Sequence, residues 1–386
     1  MDGQMYFDFW MTWLSGVSFG IALSALAFSI AELVKRGRAS NARGKDDGKS
    51  IGETPRAAVT SGEEPTAAEP VAIPSADCLP KIGASGMEWA WGKAKYRRGD
   101  VVVVPQGEID SLREPVFVLG DLHGDAASLR GILAHVFAAS PRARVVFLGD
   151  LVDRATGPSM LECARLFLWA ARDNPGRFLW IRGNHDFFER NAATGRFCTS
   201  VEPHEFADFL NGNPGLAAEG EALGDIMSSL PVGALLGNVW LSHGGVLQDD
   251  EAGVRTFAGF ASMTDEMKRD LVWSRMRDVP TKLAYRESAG AEVGLRQAEE
   301  FARRVRETEG VEIAHIVCAH QHEARDGFGY LPFDKCFTGG LTCQCVCSFE
   351  NKTPFDGIAQ PTILRLNGAG MPRPIFPIKR NDACQK

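Results

Sequence analysis

The sequence predicts an α/β domain whose chemical residues stand at the ends of parallel strands, preceded by one N-terminal transmembrane helix. Three observations carry that prediction. Short apolar runs stop at Gly-Asp, Gly-Asn-His or His-Gly-Gly; amphipathic stretches separate them; and one long uncharged segment lies near the N-terminus.

The uncharged segment comes first. Phe9 to Ala31 gives 23 residues without a charge, rich in Trp, Phe, Leu, Ile and Ala. About 20 such residues cross a bilayer core as a helix. A secretory signal would carry a basic n-region, whereas only Asp2 and Asp8 precede the run. A buried core helix would show a polar face, and this segment has only scattered Ser and Thr. Lys35, Arg36, Arg38, Arg43 and Lys45 follow it. The positive-inside bias then predicts a membrane-anchored chain with everything after residue 31 on the cytoplasmic side. Residues 1–37 read as the anchor and 38–84, poor in large apolar side chains, as a flexible linker. Residues 85–370 read as the folded domain and 371–386 as a C-terminal tail.

Composition bounds the partners. Of 386 residues, 45% are hydrophobic and 24% charged, enough for a sizeable core. The net charge of −7 leaves no global basic footprint, so duplex nucleic acid is not an expected partner. Nine cysteines are sparse for a disulfide framework and odd in number, which favours reduced thiols. Cys343, Cys345 and Cys347 alternate along an apolar run and share one face of a strand.

Within the domain, Val116–Leu119 reads as a strand ending in Gly120-Asp121-Leu122-His123-Gly124. Leu129, Ile132, Leu133, Val136 and Phe137 then mark an amphipathic helix. Val145–Leu148 runs into Gly149-Asp150-Leu151-Val152-Asp153-Arg154, and a helix follows through about Ser159–Arg172. Phe178–Ile181 ends in Gly183-Asn184-His185-Asp186. The stretch from Phe187 to about Pro231 reads as a helical cap beside the site. Val239–Ser242 ends in His243-Gly244-Gly245, and Glu312–Cys318 ends in Ala319-His320-Gln321-His322. Thr342–Phe349 and Pro361–Leu366 read as late strands of a second sheet. Strand–helix alternation implies parallel pairing with helices on the sheet, and crevices form beyond the carboxyl ends of such strands.

Asp121, His123, Asp150, Asn184, His185, His243 and His320 supply carboxylate oxygen, amide oxygen and imidazole nitrogen without thiolate. Divalent Mn, Fe or Zn suits that mixture. Two such ions about 3.5–4 Å apart need one carboxylate that reaches both. Each motif alone is common in turns; five in this order are not.

Together these motifs, with Cys347-Ser348-Phe349-Glu350-Asn351 as a loop over the site, resemble the phosphoprotein phosphatase family of calcineurin-like metallophosphoesterases. The likeness covers roughly residues 114 to 368. It implies a β-sandwich flanked by helices and a hydrolase acting on phosphoric esters. It also implies that Asp121 and His123 bind a first metal, Asp150 bridges, and Asn184, His243 and His320 bind a second. His185 becomes the general acid held by Asp153, Arg154 a phosphate-binding residue, and a hydroxide between the metals the nucleophile. A second phosphate-binding arginine is implied at Arg286, with Arg275 and Arg277 as alternatives. Asp186, where the family's protein phosphatases carry Glu, is similar to the bacterial symmetrical diadenosine tetraphosphatases, as Gly244-Gly245 and Asp153 are to the protein phosphatases. Ala155 departs from the glycine that usually follows the Asp-Arg pair. The implied substrate is therefore a phosphoserine or phosphothreonine protein, or alternatively a dinucleoside polyphosphate or other nucleotide. A non-catalytic binding module is the remaining reading, opposed by an intact ligand set. His135, His204, His315 and His322 read as packed or solvated residues.

Overall fold

Each apolar run becomes a strand with two buried faces, because side chains alternate along an extended chain. The computed structural model describes residues 71–83, 86–247, 257–281, 283–286, 290–323, 325–350, 357–367 and 370–375. In chain order the elements are β1 (Val101–Val104), β2 (Val116–Leu119), α1 (Ala126–Ala139), β3 (Arg144–Phe147), α2 (Gly157–Asp173), β4 (Phe178–Trp180), α3 (Glu205–Gly212) and α4 (Ala217–Ser228). There follow β5 (Gly233–Leu236), β6 (Val239–Ser242), α5 (Asp265–Trp273), β7 (Arg275–Met276), β8 (Leu283–Arg286), β9 (Gly290–Val293), α6 (Leu295–Glu309) and β10 (His315–Cys318). The described part closes with β11 (Tyr330–Phe333), β12 (Thr342–Val346), β13 (Ile363–Asn367) and β14 (Gly370–Ile375).

Two sheets result. One runs β14-β13-β2-β3-β4, with β2, β3 and β4 parallel. The other runs β1-β5-β6-β10-β12-β11 beyond a short outer strand, Arg97–Arg98, with β6, β10 and β12 parallel. Between them Val116, Val118, Val146, Leu148, Leu179, Val239, Leu241, Val317 and Val346 form a common core. The alternate residues of the first sheet, Phe117, Leu119, Val145, Phe147, Phe178 and Trp180, pack outward against α1 and α2. Those of the second, Leu235, Trp240, Ile316, Cys318, Cys343 and Cys345, pack against α5 and α6. The result is a four-layer helix–sheet–sheet–helix sandwich. Three of the five motif strand ends belong to one sheet and two to the other, and Pro361–Leu366, expected in a second sheet with Thr342–Phe349, instead pairs with β2 in the first. Strand order is a long-range property that local periodicity does not encode.

The helices follow their stripes. Leu129, Ile132, Leu133, Val136 and Phe137 are all buried on α1, and the Asp125 carboxylate accepts from Ser128 N to cap it. Residues 71–83 are also docked: Val71 and Ile73 pack on the outer core of the first sheet, and Leu79 and Ile82 are buried in it.

The expected transmembrane helix is corrected. Crossing a membrane takes about 20 apolar residues in one helix. The longest described helix, α2, has 17 residues and carries Glu162, Arg165, Arg172 and Asp173. No helix among the described residues is long and apolar enough to cross a membrane. Residues 9–31 themselves lie outside the described residues. The membrane partner and the cytoplasmic-side placement that rested on that helix are withdrawn with it.

The loops after β3 and β4 touch so closely that side chains are shut out. Gly149 has φ 103°, and a Cβ there would stand 2.3 Å from Gly183 N. Gly149→Ala should therefore destabilise the domain by about 3 kcal/mol through a strained φ and a backbone clash. Thermal unfolding checks this; a variant as stable as the parent would show that the two loops are not interlocked.

Candidate functional site

The five motif loops meet at one edge of the sandwich, where backbone hydrogen bonds stitch the sheets together. Leu122 N and His123 N donate to Asp150 O, joining the loops after β2 and β3. Ala319 N donates to His243 O, joining the loops after β6 and β10. Asp121 pairs with Cys347 across an isolated parallel bridge, joining one sheet to the other. Sharp turns are needed to aim side chains inward from such loops. Seven described non-glycine residues have positive φ, and five of them are His123, Asp150, Asp153, Arg154 and His320. Backbone strain of this kind costs of order 1–3 kcal/mol per residue and persists where the surroundings over-determine it.

Asp186 is the main restraint. Its carboxylate is fully buried and accepts from Asp150 N (2.9 Å), Leu151 N (3.0 Å), Gly183 N (2.9 Å) and Trp180 Nε1 (3.1 Å). Burial, then the Asp150 charge, push its pKa up to about 6. It ties the backbone of both loops together at the point where Asp150 turns into the crevice.

Two groups of potential ligands share Asp150. Asp121, His123, Asp150 and His322 form one, and Asp150, His243 and His320 the other, each with ligand atoms within 4.8 Å. Backbone carbonyls fix the imidazole tautomers, since a carbonyl only accepts. His123 Nδ1 donates to Val152 O (2.8 Å) and His243 Nδ1 to Leu148 O (3.0 Å), so both rings turn Nε2 inward. Asn184 Oδ1 lies 2.9 Å and Asp150 Oδ2 3.2 Å from His243 Nε2. One Asp150 oxygen is satisfied by His185 N (2.9 Å). The other, Oδ2, is buried without hydrogen-bond geometry to any neighbour, and so is His320 Nε2.

The residues therefore fit metal ions. Buried polar atoms nearly always find a partner, and these two orphans sit among carboxylate and imidazole donors. In the other group, His322 Nε2 is 2.6 Å from Asp121 Oδ2 and 3.1 Å from His123 Nε2, an arrangement of three ligand atoms around one point. Asp121, His123, Asp150 and His322 could hold one cation; Asp150, Asn184, His243 and His320 could hold the other.

Charge is distributed unevenly among these groups. Burial pushes His123 down to about 3, and burial with the neighbouring His243 and Arg275 charges holds His320 well below the ordinary imidazole range. Both rings are neutral, the form that binds metal. His243 is also desolvated, but Asp150, Asp121 and Asp186 outweigh that and raise it to about 9. For Asp150, burial opposes ionisation, yet His243, His185 and His123 hold it well below the carboxylate range.

His185 and Asp153 form a separate pair. His185 Nδ1 is 2.7 Å from Asp153 Oδ2, and Asp153 Oδ1 accepts from Phe206 N at the start of α3 (2.9 Å). Burial lowers the His185 pKa, but the Asp150 charge and the Asp153 hydrogen bond outweigh it, so the net shift is upward.

These groups open on a cleft of about 200 Å³ lined by Asp150, Arg154, Asn184, His185, Trp273, Arg275, His320 and His322, with Glu202 and Glu323 at its margin. Arg154 reaches it from the loop after β3. Arg277 does not line it, being held by Glu292 (2.6 Å) and Glu323 (2.5 Å). Arg286 ends β8, paired with Gly290, and its side chain lies outside the described residues. The loop after β12 covers the first group: Ser348 N donates to Asp121 O, and Phe349 packs edge-on against His123 and His322, each at 5.1 Å. Thus the crevice gathers Asp121, His123, Asp150, Asn184, His243, His320, His185, Asp153 and Arg154.

Sequence reasoning missed His322 and the clamping role of Asp186; of the three arginines it weighed as a second phosphate-binding residue, Arg275 lines the cleft. His322 is corrected from a packed or solvated residue to a member of the first group; the His-Gln-His spacing, two imidazoles on one face of an extended chain, was the available signal.

Residues 114–324 match the family described as calcineurin-like phosphoesterase. The chain is 34% identical over 173 residues to the serine/threonine-protein phosphatase PP2A-like PPG1 of Candida albicans, covering 43% of this chain and 38% of that protein. It is 29% identical over 252 residues to the serine/threonine-protein phosphatase C23G10.1 of Caenorhabditis elegans, covering 63% and 50%. To the serine/threonine-protein phosphatase 4 catalytic subunit of Saccharomyces cerevisiae it is 30% identical over 226 residues, covering 57% and 67%. The chain thus spans half or less of the first two relatives. A solved Saccharomyces cerevisiae serine/threonine phosphatase with similarity to human PP5 shares the fold at TM-score 0.52 and 18% identity, over 74% of this chain and 86% of that one.

Two outcomes are expected. His322→Ala should weaken binding of one metal equivalent by about 10–100-fold while sparing the other, read by metal analysis after dialysis; two equivalents held as tightly as before would remove His322 from the ligand set. Asp153→Asn should lower the His185 pKa, because it deletes a carboxylate that raises it. A rate that needs His185 protonated falls as pH rises through that pKa, so the alkaline limb of kcat/KM should move to lower pH. An unmoved limb would exclude His185 as the acid.

Proposed function

The chain belongs to the calcineurin-like phosphoesterase family, and we propose that it is a metal-dependent hydrolase of phosphoric esters, acting on phosphoserine or phosphothreonine in proteins. Its catalytic part is the domain expected over 85–370. The observation that carries this reading is the buried Asp150, shared by two ligand groups that open, beside the His185–Asp153 pair, on one cleft. Two divalent cations of the Mn, Fe or Zn kind suit the oxygen and imidazole donors. When bound they supply an acidified water and neutralise phosphoryl charge.

The protein's own residues divide the remaining work. Arg154 lines the cleft and presents a planar guanidinium fork suited to phosphoryl oxygens. His185 uses Nδ1 on Asp153 and so keeps Nε2 for the cleft, where it donates a proton to the leaving oxygen. Asp153 fixes that tautomer and, with Asp150, raises the ring's basicity. Asp186 holds the Asp150 backbone, and Phe349 covers the inner ligands against water.

The shape of the cleft favours a phosphoryl group on a larger chain over a nucleotide. Ligand pockets for drug-sized molecules run about 300–1,000 Å³, whereas this cleft holds about 200 Å³. Trp273 is the one large aromatic ring among its described lining residues, and it stands edge-on to His320 at 5.7 Å, not as half of a base-stacking pair.

The deciding comparison loads the full chain with manganese and measures turnover of a phosphothreonine peptide against diadenosine tetraphosphate. The peptide should be preferred. Preference for the dinucleotide would replace this substrate class, and inactivity toward both with metals bound would overturn the hydrolase reading.

A further inference from the structure

We propose that Glu202 is a specificity-determining residue of the cleft, selecting phosphopeptides that carry a basic side chain beside the phosphorylated residue. The inference rests on the phosphoester reading and adds to it the kind of sequence the substrate presents.

Charge is the first argument. Two carboxylates, Glu202 and Glu323, stand at the margin of a cleft whose other lining residues include Arg154, His185 and the metal-ligand groups. A carboxylate beside a phosphoryl group repels it, so each needs a counter-charge. Glu323 has one: its Oε1 is 2.5 Å from Arg277 Nη1, and Arg277 is tied in turn to Glu292 (2.6 Å). Glu202 is exposed and has no ion-pair partner among the described residues. Its counter-charge is left for the substrate to bring.

Position is the second. Three residues after Glu202, the first turn of α3 is fastened to the loop after β3. Glu205 Oε2 accepts from Arg154 N (3.2 Å), and Phe206 N donates to Asp153 Oδ1 (2.9 Å). On the other side of Glu202, Val201 is buried. Glu202 is thus held between two fixed points, next to the loop that supplies Arg154 and the partner of His185. His185 protonates the leaving oxygen, and that oxygen belongs to the serine or threonine of the substrate. The substrate polypeptide therefore leaves the cleft on the side of His185, and the residues flanking the phosphorylated one pass Glu202.

The surrounding sequence is the third. From Phe197 to Leu247 the chain carries no Lys or Arg, whereas Glu202, Glu205 and Asp208 follow one another at three-residue steps. This wall of the cleft has no cation of its own to cancel the field of Glu202. A basic side chain on the substrate is attracted there and an acidic one repelled, and discrimination between substrates uses both effects.

The test uses the manganese-loaded full chain and calorimetry, with metal content determined alongside. Three alanine-based peptides carry a non-hydrolysable phosphonate in place of the phosphothreonine, flanked on both sides by Arg, Ala or Glu. The parent should bind the Arg-flanked peptide about 5–20-fold more tightly than the Glu-flanked one, attraction and repulsion each contributing up to about fivefold at an exposed rim. Added salt should shrink that ratio. Glu202→Gln should bring the three affinities close together with both metal equivalents retained, and Glu202→Lys should reverse their order. Equal binding of the three peptides by the parent overturns the assignment. So does a Glu202→Gln variant that keeps the parent's ratio, even with every affinity raised alike, since that marks a carboxylate acting on Arg154 and not on the flanking residue. Because binding needs no turnover, a parent that ranks the peptides as expected yet hydrolyses no phosphothreonine peptide would sink the hydrolase reading alone.

Discussion

Four aspartates buried in one crevice are the constraint on which the rest of the structure depends. Asp121, Asp150, Asp153 and Asp186 are each at most 3% exposed. Removing a carboxylate from water costs several kcal/mol unless it is paired and hydrogen-bonded. The fold meets that cost mostly with backbone. Asp186 takes three amide N–H groups and the Trp180 indole, Asp121 takes His320 N, Asp150 takes His185 N and Asp153 takes Phe206 N. Every one of these bonds spans separate loops or the two sheets, apart from the short Trp180 and Gly183 links within one strand end. Satisfying the acids and assembling the domain are thus the same event.

The same requirement explains where strain is placed. Aiming His123, Asp150 and His320 inward requires left-handed backbone at residues with side chains. Those conformations hold because the flanking glycines have no room to relax: Gly149 and Gly183 face each other at contact distances too short for a Cβ. The sandwich behind them supplies the rigidity. Phe147, Phe167, Phe178 and Trp180 interlock beneath the β3 and β4 loops, Phe167 edge to face with Phe178 and Trp180, with ring centroids 5.0–5.8 Å apart.

Much of this could be read in the sequence because it is local. An apolar run ending in Gly-Asp encodes a strand and its turn, and the strands at Val116–Leu119 and Val239–Ser242 begin and end as expected. The motif residues meet for the same reason, each standing one to seven residues beyond a strand end. What escaped was whatever depends on partners distant in sequence. Nothing near Phe178 or Val239 tells that they belong to different sheets. His322 looked idle because its partners, Asp121 and His123, lie some 200 residues away. Arg275 was indistinguishable from Arg277 until Glu292 claimed one of them. The N-terminal reading failed differently: hydropathy reports how apolar a segment is, and the inference from there to a membrane helix needs a helix that the described structure does not contain.

A division of labour follows from how each residue is held. The inner ligands are fixed through main chain: a carbonyl on each of the His123 and His243 rings, Asp186 on the Asp150 loop, and Ser348 between Gly120 N and Thr362 O. Moving any of them means opening a sheet end. The outer residues are held differently: Glu323 is paired with Arg277, and Trp273 stands edge-on to His320. Arg154 is exposed, and Glu202 lies in an irregular stretch before α3. Changing one of these alters charge and shape at the rim without disturbing the buried acids. The geometry of the buried ligands is therefore set by backbone tied across two sheets, while the lining of the cleft is set by side chains on the loops around it.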